Sequence, residues 1–150
     1  MPPTMADTVN TRSARSVSRY FIIAARILMG LPFLASGIAG LLNVTPQPST
    51  PLLQGAADFA AALVKTGYMM PLIFLIQLVV GALLAANRFV PLALALIAPF
   101  LVNAVLFHLF LEPTGRPIVL AFLALEIYLA WAYRKSYRSM LAMRVTPGAE

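Results

Sequence analysis

The sequence predicts an all-α integral membrane protein: a four-helix transmembrane bundle with an amphipathic helix between the first and second spans. Its composition is 61% hydrophobic and 11% charged, with a mean hydropathy of +0.86, whereas soluble domains have about 25% charged residues. Four separate apolar runs are long enough to cross a bilayer as helices. Basic residues gather where these runs end, as they do in membrane proteins. With 150 residues, the chain has room for one such domain.

Short polar or proline-containing connections separate the four predicted spans, so consecutive helices are expected to be antiparallel neighbours. The third run is the clearest, because it follows the turn Asn87-Arg88 and its only strongly polar members are Asn103 and His108. Pro117 stands at the entry of the fourth run, where a proline is well tolerated. The predicted spans are residues 20–42, 68–86, 89–110 and 117–133.

Outside the spans, the sequence predicts one amphipathic helix and two tails. Residues 52–65 repeat apolar side chains at helical spacing with polar ones on the other side, which suits the membrane interface or a cap over the bundle. Residues 1–18 are polar and without periodicity, which predicts a disordered tail. Residues 141–150 are predicted to be a flexible C-terminal tail. The membrane domain is therefore assigned to residues 19–140.

Small residues in two of the runs predict close contact between helices. Ser36 and Gly40 in the first run, and Gly81 and Ala85 in the second, have the spacing that lets helix backbones approach in lipid. In the third run, Pro99 lies inside the predicted helix, where it is expected to produce a kink.

The composition also excludes several classes of function. The net charge of +6 does not indicate nucleic acid, because the basic residues lie where they would meet lipid headgroups. The chain has no cysteine, which rules out disulfides, dithiol chemistry and thiolate-ligated metals. With a single histidine and no haem-attachment motif, neither a metal site nor a covalently bound cofactor is expected. The partner that the composition indicates is the lipid bilayer.

The distribution of basic residues orients the predicted bundle. Most of them fall on the side of the two termini, whereas Lys65 and Arg116 on the other side are opposed by Asp58 and Glu112. We therefore expect a multi-pass protein of the bacterial cytoplasmic membrane with both termini in the cytoplasm. The basic residues on the terminal side are Arg12, Arg15, Arg19, Arg88, Arg134, Lys135, Arg138 and Arg144.

Two charged residues inside the predicted spans are candidates for an ion pair. Arg26 lies about 10 Å from the cytoplasmic end of its helix and Glu126 about 12 Å from Arg134, so their depths match. Arg26 could instead extend its side chain to the headgroups. Glu126 is too short for that, and must be paired, protonated or beside a water-filled cavity.

Asn103, His108 and Gln77 are the candidate ligand-binding residues, since polar groups in apolar spans are costly to bury without partners. The alternative for Gln77 and Asn103 is a hydrogen bond between helices. His108 is either an interfacial residue or a proton-handling group beside a quinone or another head group. Asn103 and His108 point about 140° apart on an ideal helix, so one ligand could not contact both from a single face. Either the Pro99 kink changes that geometry, or His108 serves the outer mouth of the site while Asn103 faces its centre. Glu112 and the residue 52–65 helix are expected to cap the mouth of the site together from outside.

Several short features occur in order along the first three runs. They are Arg26, Gly30, Phe33, Ser36 and Gly37, then Thr66-Gly67-Tyr68 with Pro71, then Gly81 and Arg88-Phe89-Val90-Pro91, and last NAVLFHLF at residues 103–110. On these features, residues 20–140 resemble the DoxX family of small four-helix membrane proteins. Two positions depart from that family, because Gln77 stands where relatives often have glutamate and Gly40 where they often have lysine.

The resemblance implies a redox or quinone link, since some relatives are subunits of thiosulfate:quinone oxidoreductases and others are implicated in oxidative-stress complexes. The leading hypothesis is an accessory bundle that binds a quinone or lipid and associates with a redox subunit or with itself, without catalytic residues of its own. One alternative is a subunit of a quinone-linked oxidoreductase that receives electrons from a partner. The other is a small transporter with Arg26 and Glu126 along its path.

Overall fold

The computed structural model describes residues 5–44 and 51–137, with side chains from residue 19 onward. Within these residues every regular element is helical, which confirms the all-α prediction. The elements are α1 (Met5–Leu41), α2 (Gln54–Lys65), α3 (Met69–Ala85), α4 (Val90–Phe110) and α5 (Arg116–Ala132), with short 3-10 turns at Pro113–Gly115 and Arg134–Tyr137.

Three segments of the described chain are long and apolar enough to cross a membrane: Arg19–Leu41, Val90–Phe110 and Pro113–Ala132. The predicted second span corresponds to α3, which has 17 residues and lies at the short limit of a membrane-spanning helix. α2 meets α3 at an angle of 91°, so α2 turns away from the direction of the bundle. The described residues therefore contain three candidate spans, or four if the bent pair of α2 and α3 counts as one broken span.

The helices alternate in direction, which gives the bundle two different ends. The basic end carries Arg19, Arg88, Arg134 and Lys135, and Arg19 shares a cavity there with Asn87 and Tyr133. The capped end consists of α2 and residues 112–115. The rings of Phe59 on α2 and Phe107 on α4 join this cap to the bundle, with centroids 5.5 Å apart. The charge separation along the bundle is the one that the sequence predicts.

Contact between the backbones of α1 and α3 depends on glycine. A Cβ atom at Gly37 would overlap the backbone of Leu78, and one at Gly81 would overlap the backbone of Leu34. Moving along α1 from Leu34 to Gly37 corresponds to moving back along α3 from Gly81 to Leu78, so the two helices are antiparallel. Small residues allow this approach in lipid, where dispersion and not apolar burial holds helices together.

The predicted small-residue pairs are confirmed in part. Gly81 and Ala85 both lie against α1, since a Cβ atom at Gly30 would come within 3.3 Å of the Ala85 nitrogen, and Gly40 faces the Phe74 ring. The other glycines of α1 that approach α3 are Gly30 and Gly37. Ser36 is therefore not the small residue that joins Gly40 in this contact. Helix geometry explains the difference, because positions seven apart share one face more closely than positions four apart.

The core lies in the half of the bundle nearer the basic end. Phe33 of α1 closes it with ring centroids 6.2 Å from Phe100 and 5.3 Å from Phe122. At the level of these rings, toward the capped end, the packing opens into a cavity. The largest fully buried side chains are Met29, Val80, Leu84, Leu94, Ile97 and Leu129.

The first helix differs from the prediction at its start, since residues 5–18, assigned to a disordered tail, belong to α1. This segment contains neither proline nor glycine, so nothing in its backbone chemistry interrupts a helix that continues into an apolar span. The predicted C-terminal tail at residues 141–150 lies outside the described residues.

Candidate functional site

A cavity of about 240 Å³ lies between α1, α4 and α5 toward the capped end. Its lining is apolar apart from His108, which is the only residue with a polar side chain there. A cavity of this kind suits a ligand that is mostly apolar and carries one hydrogen-bonding group. The lining residues are Phe33, Phe100, Leu101, Ala104, His108, Gly115, Ile118, Val119 and Phe122.

The His108 ring is held in one orientation by the main chain. Its Nδ1 atom lies 2.8 Å from the carbonyl oxygen of Glu112. Because a carbonyl only accepts hydrogen bonds, Nδ1 carries the proton, and in the neutral ring Nε2 is left as the acceptor. Nε2 has no hydrogen-bond partner among the described residues and is not one of their enclosed unpartnered atoms. The ring therefore keeps one free acceptor for a ligand.

Gly115 makes room for this ring. A Cβ atom at Gly115 would overlap the imidazole of His108, so only glycine allows the close approach. On its other side the imidazole meets the Phe107 ring edge to face, with centroids 5.1 Å apart. Gly115 is not among the predicted site residues, although its position in a tight turn between two spans was a usable signal.

Arg116 completes the turn that carries the site. Its Nε atom donates to the carbonyl of His108 at 3.0 Å and its Nη2 atom to the carbonyl of Leu109 at 2.8 Å. These carbonyls are in the last turn of α4, where a helix leaves them without internal partners. A guanidinium group at this place also suits the negative end of the helix dipole.

Glu112 connects α2 to the same turn. Its carboxylate accepts hydrogen bonds from the Leu53 amide at 3.3 Å and from the Thr114 hydroxyl at 2.6 Å. The Thr114 hydroxyl and then the Leu53 amide lower the pKa of Glu112. The side chain is 7% exposed, because nearby groups cover it at the edge of the bundle. As the sequence predicts, Glu112 and α2 meet at the capped end.

Asn103 does not line the cavity. Its side chain is exposed on the outer surface of α4, next to Val102, which is 54% exposed. α4 continues as one helix through Pro99, so Asn103 and His108 keep the separation of about 140° expected of an ideal helix. The kink that could have brought them to one ligand does not do so.

Gln77 is also separate from the cavity. Its side chain is 6% exposed and faces the interior from α3. Among the described residues, its Oε1 atom has no hydrogen-bond partner. The structure thus brings only His108, of the three predicted ligand-binding residues, into this cavity.

Arg26 and Glu126 are both buried, each 8% exposed, but they do not form the predicted ion pair within the described residues. Arg26 Nε and Glu126 Oε2 both lack hydrogen-bond partners there. The Phe33–Phe122 contact puts Glu126 level with Met29, about 4.5 Å from the level of Arg26.

This arrangement predicts independent effects of the two charges. Arg26→Gln and Glu126→Gln should change the free energy of unfolding additively, within about 0.5 kcal/mol. Glu126→Gln alone should not destabilise the protein, since a buried carboxylate without a partner costs more than an amide. Denaturation of the two single variants and the double variant in detergent measures the coupling. If the double variant differed from the sum of the single variants by several kcal/mol, Arg26 and Glu126 would form the ion pair that their matched depth predicts.

The cavity offers an apolar volume and the Nε2 acceptor of His108, and its lining holds no nucleophile and no second titratable group. Within residues 5–44 and 51–137, no group of three His, Asp or Glu side chains could hold a metal ion.

No known protein family matches the chain, and neither the curated proteins nor the solved structures include a match.

Proposed function

We propose that this multi-pass membrane protein binds an amphiphilic ligand whose ring or chain fills the capped-end cavity and whose hydroxyl group meets His108. The observation that carries the proposal is a single polar side chain on an otherwise apolar cavity. With Nδ1 engaged by Glu112, the neutral ring offers an acceptor at Nε2. A hydroxyl donor such as a quinol therefore fits better than the carbonyl of a quinone.

The redox context of this proposal comes from the resemblance to the DoxX family. In that context the protein is an accessory component of a membrane redox or oxidative-stress complex, and a partner subunit supplies the electron-transfer centres. Gln77 and Gly40 stand where relatives often have a charged pair, which favours binding over catalysis by this chain alone. By the positive-inside rule, we expect the basic end in the cytoplasm and the cavity toward the outer leaflet.

Ligand binding by His108 variants tests the proposal. In mild detergent, a short-chain benzoquinol should bind wild type more tightly than the matching benzoquinone. His108→Leu should weaken quinol binding roughly tenfold, the value of one good hydrogen bond in a dry site. Calorimetry or native mass spectrometry gives the affinities, and melting curves check folding.

Two further variants separate the hydrogen bond from general packing. Asn103→Leu makes a similar polar-to-apolar change on the exposed side of the same helix, and should leave quinol binding unchanged. Gly115→Ala keeps the imidazole but displaces it, and should weaken binding as His108→Leu does. Wild-type affinity in a folded His108→Leu protein would contradict the proposed site.

A further inference from the structure

A second cavity, of about 290 Å³, lies at the basic end and is separate from the His108 cavity. It is formed by the start of α1, the turn between α3 and α4, and the end of α5. Its lining joins two arginines with two other hydrogen-bonding side chains, and it contains no acidic residue. The lining residues are Arg19, Ile22, Ile23, Arg26, Asn87, Ala132 and Tyr133.

Arg26 gives this cavity a buried cation. Its side chain is 8% exposed, and its Nε atom has no hydrogen-bond partner within the part of the chain that is described. Its helix direction leans it toward the basic end. A buried guanidinium is stable only when a counter-charge or several acceptors satisfy it, and the described residues provide no ion pair with Glu126.

The other lining groups match an anion with several oxygens. Arg19 stands seven residues before Arg26 on the same face of α1, about 10 Å away along the axis. Asn87 and Tyr133 add an amide and a hydroxyl, both able to donate. Guanidinium groups bind phosphate through paired hydrogen bonds. Ile22, Ile23 and Ala132 leave an apolar wall beside these donors.

We infer that the basic-end cavity binds a phosphate group between Arg26 and Arg19. The cavity lies where α1 and α5 leave their apolar spans, the level at which lipid headgroups meet a membrane protein. A phospholipid would place its phosphate on the arginines and its glycerol against the apolar wall. A free phosphate would use the same donors. This phosphate site is independent of whatever ligand His108 binds.

Binding measurements on the full chain in mild detergent test this site. The probes are a short-chain phosphatidylglycerol, a short-chain diacylglycerol without phosphate, and inorganic phosphate. Wild type should bind phosphatidylglycerol more tightly than diacylglycerol, and Arg26→Gln should reduce that affinity about tenfold, the loss of one charge-assisted hydrogen bond. Arg88→Gln makes the same charge change at an exposed position of the same end, outside the cavity, and should retain wild-type affinity.

Each outcome decides the question. Phosphatidylglycerol binding that depends on Arg26 assigns the phosphate to a lipid, whereas inorganic phosphate binding with the same dependence assigns it to a free anion; both uphold the site. Equal affinity for phosphatidylglycerol and diacylglycerol, together with no Arg26-dependent binding of inorganic phosphate, would overturn it, as would equal losses in Arg26→Gln and Arg88→Gln. Should Arg26→Gln not fold, Arg19→Gln changes an exposed lining residue, and unchanged phosphate binding in that variant would also overturn it.

Discussion

Replacing Gly81 with alanine should destabilise the bundle by about 1–3 kcal/mol or more, the cost of inserting a methyl group where packing is already complete. The new Cβ would overlap the backbone of Leu34 and approach the carbonyl oxygen of Gly30 to 2.8 Å. Backbone atoms cannot rotate away as a side chain can, so α1 and α3 would have to separate. Denaturation of the purified protein in detergent measures the loss.

A graded series of glycine variants isolates the close approach as the cause. At Gly30 the added Cβ would lie 3.0 Å from Leu84 Cβ, and at Gly55 it would lie 3.3 Å from the movable Leu111 Cδ2. Alanine also favours a helix over glycine by about 1 kcal/mol. We therefore expect Gly55→Ala to be neutral or stabilising, Gly30→Ala to be intermediate and Gly81→Ala to cost most. Equal changes in the free energy of unfolding at the three positions would show that contact with the α1 backbone does not cause the loss at Gly81.

Replacing Glu112 with glutamine should release the start of α2 from the capped end. The carboxylate accepts from the Leu53 amide and from Thr114, whereas a glutamine side chain has only one oxygen acceptor, so its NH₂ group would face either the Leu53 amide or Thr114, which are both donors. Hydrogen exchange should therefore become faster at the first turn of α2. Protection of α3 and α4 should change much less, because neither helix depends on this carboxylate.

The same residue predicts a dependence of stability on pH. Because hydrogen bonds lower the folded-state pKa of Glu112, the folded state binds the proton more weakly than the unfolded state. The stabilisation is thus present above the ordinary pKa of a glutamate and is lost as the pH falls through the lowered value. Melting temperatures of wild type and Glu112→Gln across this acidic range should converge.

Asp58→Asn is the matched control for this pH effect. Asp58 is an exposed acid on α2 whose carboxylate accepts one hydrogen bond, from the Gln54 side chain at 2.9 Å. Its removal should leave both the exchange at the α2 start and the acid-dependent loss of stability close to wild type. If Asp58→Asn reproduced the Glu112→Gln result, the net charge of α2 would explain the effect and not the link from Glu112.

Hydropathy and charge along the sequence were enough to predict the helical class, the spans and the two ends of the bundle. Apolar run length is a local property, and a helix of a given length must cross the bilayer or lie in it. The turn residues around Arg88 and the basic residues after Trp131 mark helix ends in the same local way. For the site, His108 could be identified as a candidate ligand-binding residue because it is the only histidine.

The tertiary structure alone decided which polar residues meet. α4 is apolar around its whole circumference, so its sequence pattern contains no polar face that could show Asn103 pointing outward and His108 inward. Gly115 belongs to the site because the fold brings it against the imidazole of His108, seven residues earlier in the chain. Depth along the chain could match Arg26 with Glu126, but the register of α1 and α5 and the directions in which their faces point leave Arg26 Nε and Glu126 Oε2 without partners among the described residues. Those directions arise from packing between helices, which no single segment of sequence contains.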